Sequence, residues 1–68
     1  MPTIGENIKA RRKAKKLTQA ALAGRLGVSQ PVIADLERQR HGEPTVATLR
    51  RLAAALGCRP ADFMAHVE

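Results

Sequence analysis

The stretch from Thr18 to Arg38 constrains this chain most. Leu22, Ala23 and Leu26 recur at helical spacing, and Ile33, Leu36 and Glu37 do so a little further on. Only Gly27-Val28-Ser29 separates the two stretches. Gly accepts the positive φ that ends a helix, and Ser is a favoured N-cap for the next. Two helices joined by three residues must cross steeply and share one core. Ala23 is small where that crossing is closest, and Leu22, Leu26, Val28, Ile33 and Leu36 fill the shared core. Pro31 is compatible with the second of these helices, because an N–H in the first turn has no intrahelical acceptor to lose. On that helix Gln30, Ala34, Asp35 and Arg38 point away from the core, with Pro31 near the same face.

The same spacing predicts helices on either side. A first helix runs from about Ile4 to Lys16, with Ile4 and Ile8 on a stripe that Arg12 continues. An arginine there needs a partner or must reach out to water. Leu17 closes the core side, and Thr18 caps the second helix, Gln19 to Leu26. Ser29 caps the third, Gln30 to about Arg38, and a polar loop from Gln39 to Pro44 follows. Thr45 caps a fourth helix, roughly Val46 to Leu56, whose stripe is Val46, Leu49, Leu52, Ala53 and Leu56 and whose stop is Gly57. Pro60 opens a short fifth helix ending near His66, with Arg59 a poor cap before it. No segment alternates with period two, so the expectation is one all-α domain of five short helices over residues 1–68.

So short a chain buries a modest core, worth a net stability of roughly 3–5 kcal/mol. Cys58 is the single cysteine, so no disulfide closes within the chain, and it reads as a small apolar residue after a helix stop. Cys58, His41 and His66 have no metal-ligand spacing, so neither metal nor cofactor is expected. Lacking a leader-like segment and a long apolar run, the chain is expected to be cytoplasmic, with no membrane association. Twelve Lys and Arg against six Asp and Glu give a net charge of +6, which favours polyanionic partners, nucleic acid first. Lys9, Arg11, Arg12, Lys13, Lys15 and Lys16 concentrate half of the basic residues at the end of the first helix. There they serve as a solvated face beside a helix C-terminus or as long-range attraction for a polyanion.

Many positions agree in fixed register with one family. Leu17-Thr18-Gln19-Ala20-Ala21-Leu22-Ala23, Leu26-Gly27-Val28-Ser29-Gln30, Ile33 with Leu36-Glu37, Pro44, and Leu49, Leu52-Ala53 and Leu56-Gly57 make the chain resemble the Cro/repressor-type helix-turn-helix family, also termed Xre-like or lambda-repressor-like. The likeness runs from about Ile8 to Phe63. It implies a compact five-helix domain with the helix-turn-helix unit at residues 19–38. It also implies a sequence-specific regulator of transcription, in the first instance a repressor, that binds palindromic double-stranded DNA as a homodimer.

The resemblance implies residue roles as well. Gln30 opens the recognition helix and reads a base; an amide bonds adenine N6 and N7 together. Pro31 stands where relatives often carry a polar reader, leaving apolar contact with a thymine methyl or backbone positioning. Ala34 is small enough for a thymine methyl. Asp35 either accepts from cytosine N4 or pairs with Arg38. Gln19 touches phosphate or helps cap its helix, and Ser29, Arg38, Arg40 and His41 lie where the family meets phosphates. Thr45 follows Pro44 where some relatives insert an arginine into the minor groove; Arg40 or His41 stands in for it, unless His41 is only a solvated loop residue. Arg12 and Glu37 match a pair that the family buries. The implied dimer surface is Leu56, Phe63, Met64 and Val67, within residues 56–68, unless Phe63 and Met64 only seal the core. Ser29 and Cys58 have no His–acid partners and no phosphate loop is present, so no enzyme is expected. The alternative from another class is a protein-interaction module such as an antitoxin-type partner-binding protein, which calls for apolar anchors on the third helix where the sequence is mostly polar.

Overall fold

The computed structural model describes residues 2–67; Met1 and Glu68, the outer ends of the expected domain and of its 56–68 segment, lie outside the described residues. Four α-helices follow one another: α1 Ile4–Ala14, α2 Gln19–Leu26, α3 Gln30–Arg38 and α4 Val46–Leu56. A 3-10 segment, Pro60–Met64, stands where a fifth α-helix is expected, and it stops two residues short of His66. No strand occurs among the described residues.

Each start has a local cause. At α1 the Thr3 hydroxyl accepts from the Glu6 N–H at 3.1 Å while the Glu6 carboxylate accepts from the Thr3 N–H at 3.0 Å, a capping box. Thr18 and Thr45 accept from the Ala21 and Thr48 amides at 3.0 and 3.2 Å. Ser29 has the extended backbone of a cap but its side chain makes no capping bond, contrary to expectation. Arg59 offers no acceptor; instead Asp62 accepts from the Arg59 N–H at 2.9 Å, which holds the 3-10 segment and pulls the Asp62 carboxyl below its usual range.

All four helices end by one device. The residue past the end turns left-handed and the next N–H reaches back five residues: Leu17 to Arg12 O, Val28 to Ala23 O, Arg40 to Asp35 O and Cys58 to Ala53 O, at 3.0–3.2 Å. Gly27 and Gly57 occupy the left-handed position twice, but Lys16 (φ +57°) and Gln39 (φ +53°) occupy it in α1 and α3. That is why α1 stops before Lys15, short of the expected end. Leu17, Val28 and Cys58 then pack on the core, so the turn also directs the chain inward. Burial pushes the Cys58 thiol above its usual value, so it stays neutral.

The core is Ile4, Ile8, Leu22, Ala23, Ile33, Leu49, Leu52, Ala53, Leu56 and Phe63. Val46 is the exception to the expected α4 stripe: at the first helical position it is 63% exposed. α1 crosses the end of α3 so closely that a Cβ on Gly5 would stand 2.3 Å from the Glu37 carbonyl oxygen. Gln39 accepts from the Gly5 N–H at 2.7 Å beside that crossing. Two arginines tie α2 to α4 reciprocally: Arg25 donates to Ala55 O at 3.0 Å, and Arg51 donates to Leu26 O. Each guanidinium sits at the negative end of the other's helix. Asn7 pins the C-terminal segment to α1, donating to Phe63 O and Ala65 O at 2.8 Å each.

Candidate nucleic-acid interface

α2 and α3 form the most extensive helix contact, joined through left-handed Gly27. Ile33 turns inward with Glu37, leaving Gln30, Pro31 and Arg38 exposed and Ala34 and Asp35 half-buried on the outer side of α3. The arrangement leaves a mostly polar outer face on α3. α3 is nine residues long, about 14 Å by helix geometry, a length that fits the major groove.

A chain of hydrogen bonds runs from the core to this face. Arg12 donates through Nε and Nη2 to the two Glu37 carboxylate oxygens at 2.6 and 3.1 Å, and through Nη1 to Leu17 O at 2.7 Å. Both side chains are buried, which accounts for an arginine on the apolar stripe of α1. Glu37 also accepts from Gln19 Nε2 at 3.1 Å, and Gln19 Oε1 accepts from Gln30 Nε2 at 2.6 Å. The exposed Gln30 amide is therefore oriented by a buried ion pair two residues away in the chain of bonds. Ordering it in advance spares part of the roughly 1–2 kcal/mol of rotamer entropy that a free glutamine loses on docking.

The remaining site residues fall around this axis. Gln19, expected on phosphate, is half-buried and engaged by Glu37 and Gln30. Thr18 takes the Ala21 amide, so the first amides of α2, at Gln19 and Ala20, are left without an intrahelical acceptor. Ser29, Arg38, Arg40 and His41 are exposed. The Asp35 carboxylate lies 3.7 Å from His41 Nε2, so its neighbour is the loop histidine rather than Arg38. Of the residues expected at a dimer contact, Leu56 and Phe63 are buried in the core, at 2% and 0% exposure, because α4 and the 3-10 segment close over α1 there. Neither has surface to offer a second copy; Met64 is 46% exposed and Val67 half-buried.

Sequence reasoning missed Val32. It is 41% exposed and lines a shallow depression of about 420 Å³ between α3 and the His41–Thr45 loop, opposite the side where Gln30 meets Gln19. The Thr3–Glu6 box was available as a T-x-x-E pattern, whereas nothing in the sequence marked Gln39 or Asn7.

No helix is long and apolar enough to cross a membrane, and no cluster of three metal-ligating side chains occurs among the described residues. A sequence profile described as helix-turn-helix matches residues 8–63. The immunity repressor protein of Bacillus phage phi105 is 47% identical over 55 residues, 81% of this chain; the chain spans 38% of that repressor. The c2 repressor protein of phage P22, solved in complex with a synthetic operator, superposes with a TM-score of 0.80 at 41% identity, covering 93% of this chain and 94% of that one. Hydroxypropylphosphonic acid epoxidase from S. wedmorenis also contains a similar fold, at 35% identity and a TM-score of 0.80, over 88% of this chain but 31% of that enzyme. With its profile match, these identities and an α2–α3 pair joined through left-handed Gly27, the chain belongs to the helix-turn-helix family.

Proposed function

We propose that this chain is a sequence-specific double-stranded DNA-binding regulator that docks α3 in the major groove and represses transcription by occupying its site. The observation that carries this reading is the relay Arg12–Glu37–Gln19–Gln30, which holds a bidentate amide at the exposed start of α3. Such an amide pairs with adenine N6 and N7. The free amides at the start of α2 and the exposed Arg38 and Arg40 grip phosphate on either side. Ser29 and His41 are exposed before and after α3, and Pro31 and Ala34 offer apolar contact to a base. Asp35 carries a negative charge at the edge of this surface, so base readout is modest and the phosphate contribution large. Two relatives, a phage immunity repressor and the P22 c2 repressor, the latter bound to an operator, support the reading. It contains no enzymatic step, and its place is the cytoplasm, with the DNA.

The functional unit is a two-fold homodimer on a palindrome with half-sites about 34–36 Å apart. Met64 and Val67 remain from the expected contact, and Val46 joins them. The exposed Val46 and Met64 line one largely apolar depression with Pro44, Leu49, Pro60 and Ala61. Selection from a randomised duplex pool tests the reading. A short palindrome, bound more weakly by Gln30→Ala, is the expected result. Uniform weak binding abolished by modest salt overturns it, since that is what net positive charge alone produces.

A further inference from the structure

We propose that the C-terminal end of α4 is a second DNA site, at which Arg11, Lys15, Arg25, Arg51 and Arg59 hold the phosphates of another double-stranded segment without regard to sequence. This rests on the proposed docking of α3, which takes the first segment. Parts of the chain far apart in sequence bring these cations together. Arg25, in the last turn of α2, donates to Ala55 O at 3.0 Å, and Arg51 donates back to Leu26 O. Lys15 lies by the turn that follows: a Cβ on Gly57 would stand 3.7 Å from its Nζ. Arg11 and Arg59 face Asp62 Oδ1 at 3.9 and 3.7 Å. All five cations are exposed.

Asp62 is the one described carboxylate among them. Of the others, Glu6 caps α1, Asp35 and Glu43 lie by the loop after α3, and Glu37 is buried against Arg12. A helix end carries about half an elementary charge, which draws Arg25 and Arg51 but leaves positive charge in large excess here. α2 separates the two sites. Gln19 at its start meets Gln30 on α3, and Arg25 stands six residues later, about 9 Å along the axis. α3 packs chiefly on α2 and α1, whereas this site is built on the end of α4 and the 3-10 segment, so a duplex on α3 leaves it uncovered.

The chemistry selects nucleic acid over an acidic protein. A protein partner needs apolar anchors at the centre of its contact. The exposed large apolar side chains, Val32, Val46 and Met64, line other depressions. Arg25 and Arg51 instead wall a shallow depression of about 380 Å³ with Leu26, Ala54 and Ala55. Each guanidinium gives one nitrogen to a carbonyl and keeps further N–H donors for phosphate. A duplex presents one negative charge per roughly 1.7 Å of its axis, so such a cluster meets phosphates whatever the sequence.

The test immobilises the duplex that the wild-type chain enriches from a randomised pool, loads it with protein, and measures retention of a labelled duplex lacking the enriched sequence. Lys15→Gln/Arg59→Gln removes two cations of the site while Asp62 keeps its bond from the Arg59 backbone N–H. Lys9→Gln/Lys13→Gln removes the same charge from exposed positions, each about 200° around α1 from Arg11. Thermal melting establishes that both variants fold. The expected result is that wild type and Lys9→Gln/Lys13→Gln retain the labelled duplex. Lys15→Gln/Arg59→Gln should retain it about fiftyfold more weakly, since each phosphate contact is worth nearly tenfold at about 0.1 M salt. Both variants should hold the immobilised duplex equally. An equal loss of retention in both assigns it to net charge and overturns the inference. So does a wild-type complex that stays on the immobilised duplex and retains no label, which leaves the regulator reading in place. If the pool yields no enriched duplex, the inference and the reading fall together.

Discussion

Replacing Glu37 separates what the buried ion pair does for stability from what it does for recognition. In Glu37→Leu the Arg12 guanidinium stays buried and keeps Leu17 O, at 2.7 Å, as its remaining described acceptor. Breaking a buried pair from one side costs about 3–5 kcal/mol, because a charge is left without compensation. The whole domain is worth roughly the same. The single variant is therefore expected to be largely unfolded at 25 °C, and Arg12→Met to fare similarly. The double variant Arg12→Met/Glu37→Leu removes both charges and leaves Leu17 O and the Gln19 amide at a partly wetted edge, so it should fold within about 1–2 kcal/mol of wild type. Urea titration followed by far-ultraviolet circular dichroism measures this. DNA binding should not recover with it: Gln19 loses its anchor, Gln30 loses its orientation, and affinity for a selected duplex should fall about tenfold, the worth of immobilising two rotamer-rich side chains. A double variant as unstable as the singles would refute the electrostatic account. One that refolds and binds like wild type would refute the relay.

Three further outcomes follow from the same packing. Gly5→Ala puts a Cβ against the Glu37 and Leu36 carbonyl oxygens, at 2.3 and 2.8 Å, where backbone cannot yield; a loss of about 1–3 kcal/mol is expected, read as a lower urea midpoint at unchanged m, and an unshifted midpoint contradicts the close crossing. Arg25→Met and Arg51→Met should each cost about 0.3–1 kcal/mol and less in high salt, because each cation faces a helix C-terminus in the open; a salt-independent loss would assign the effect to packing instead. The Asp62 carboxyl lies below its usual range chiefly through its bond from the Arg59 N–H, so its contribution is present above the unfolded-state value and is lost as pH falls through the folded one. Melting temperatures of wild type and Asp62→Asn should therefore converge as pH drops below about 4, and a gap that persists in acid would remove this bond from the account.

The helical order was legible because apolar spacing and caps agree at each element: Thr18 with Gly27 for α2, Thr45 with Gly57 for α4. The end of α1 was less so, because Lys16 holds the left-handed position there and its preferences do not announce a turn; α3 ends at Arg38 as expected although Gln39 holds the same position. Tertiary context decides those two, since Leu17 must reach the core and Gln39 must meet Gly5. Ser29 misled for a related reason: the residue type was right for a cap but the bond is not made. Leu56 and Phe63 are apolar whether they face the core or a second copy, and only the closure of the 3-10 segment over α1 shows that the core takes both. Val32 was hidden because α3 places it at the border between the core side and the outer face, where spacing alone assigns neither.

A buried ion pair is a costly element in so small a domain, and its position explains its retention. An apolar pair at positions 12 and 37 would be comparably stable but would offer no acceptor to Gln19. Glu37 has two carboxylate oxygens, and Arg12 bonds to both while leaving a second lone-pair direction on Oε1 for the Gln19 amide. Gln19 in turn donates inward with Nε2 and accepts outward with Oε1, which fixes the orientation of its amide and so fixes the Gln30 amide beyond it. The buried charges, Arg12 and Glu37, therefore lie beneath the face that the proposed function assigns to DNA. The buried ion pair and the exposed Gln30 amide belong to a single hydrogen-bonded unit, so that, on the proposed reading, a change at Arg12 in α1 reaches Gln30 on α3.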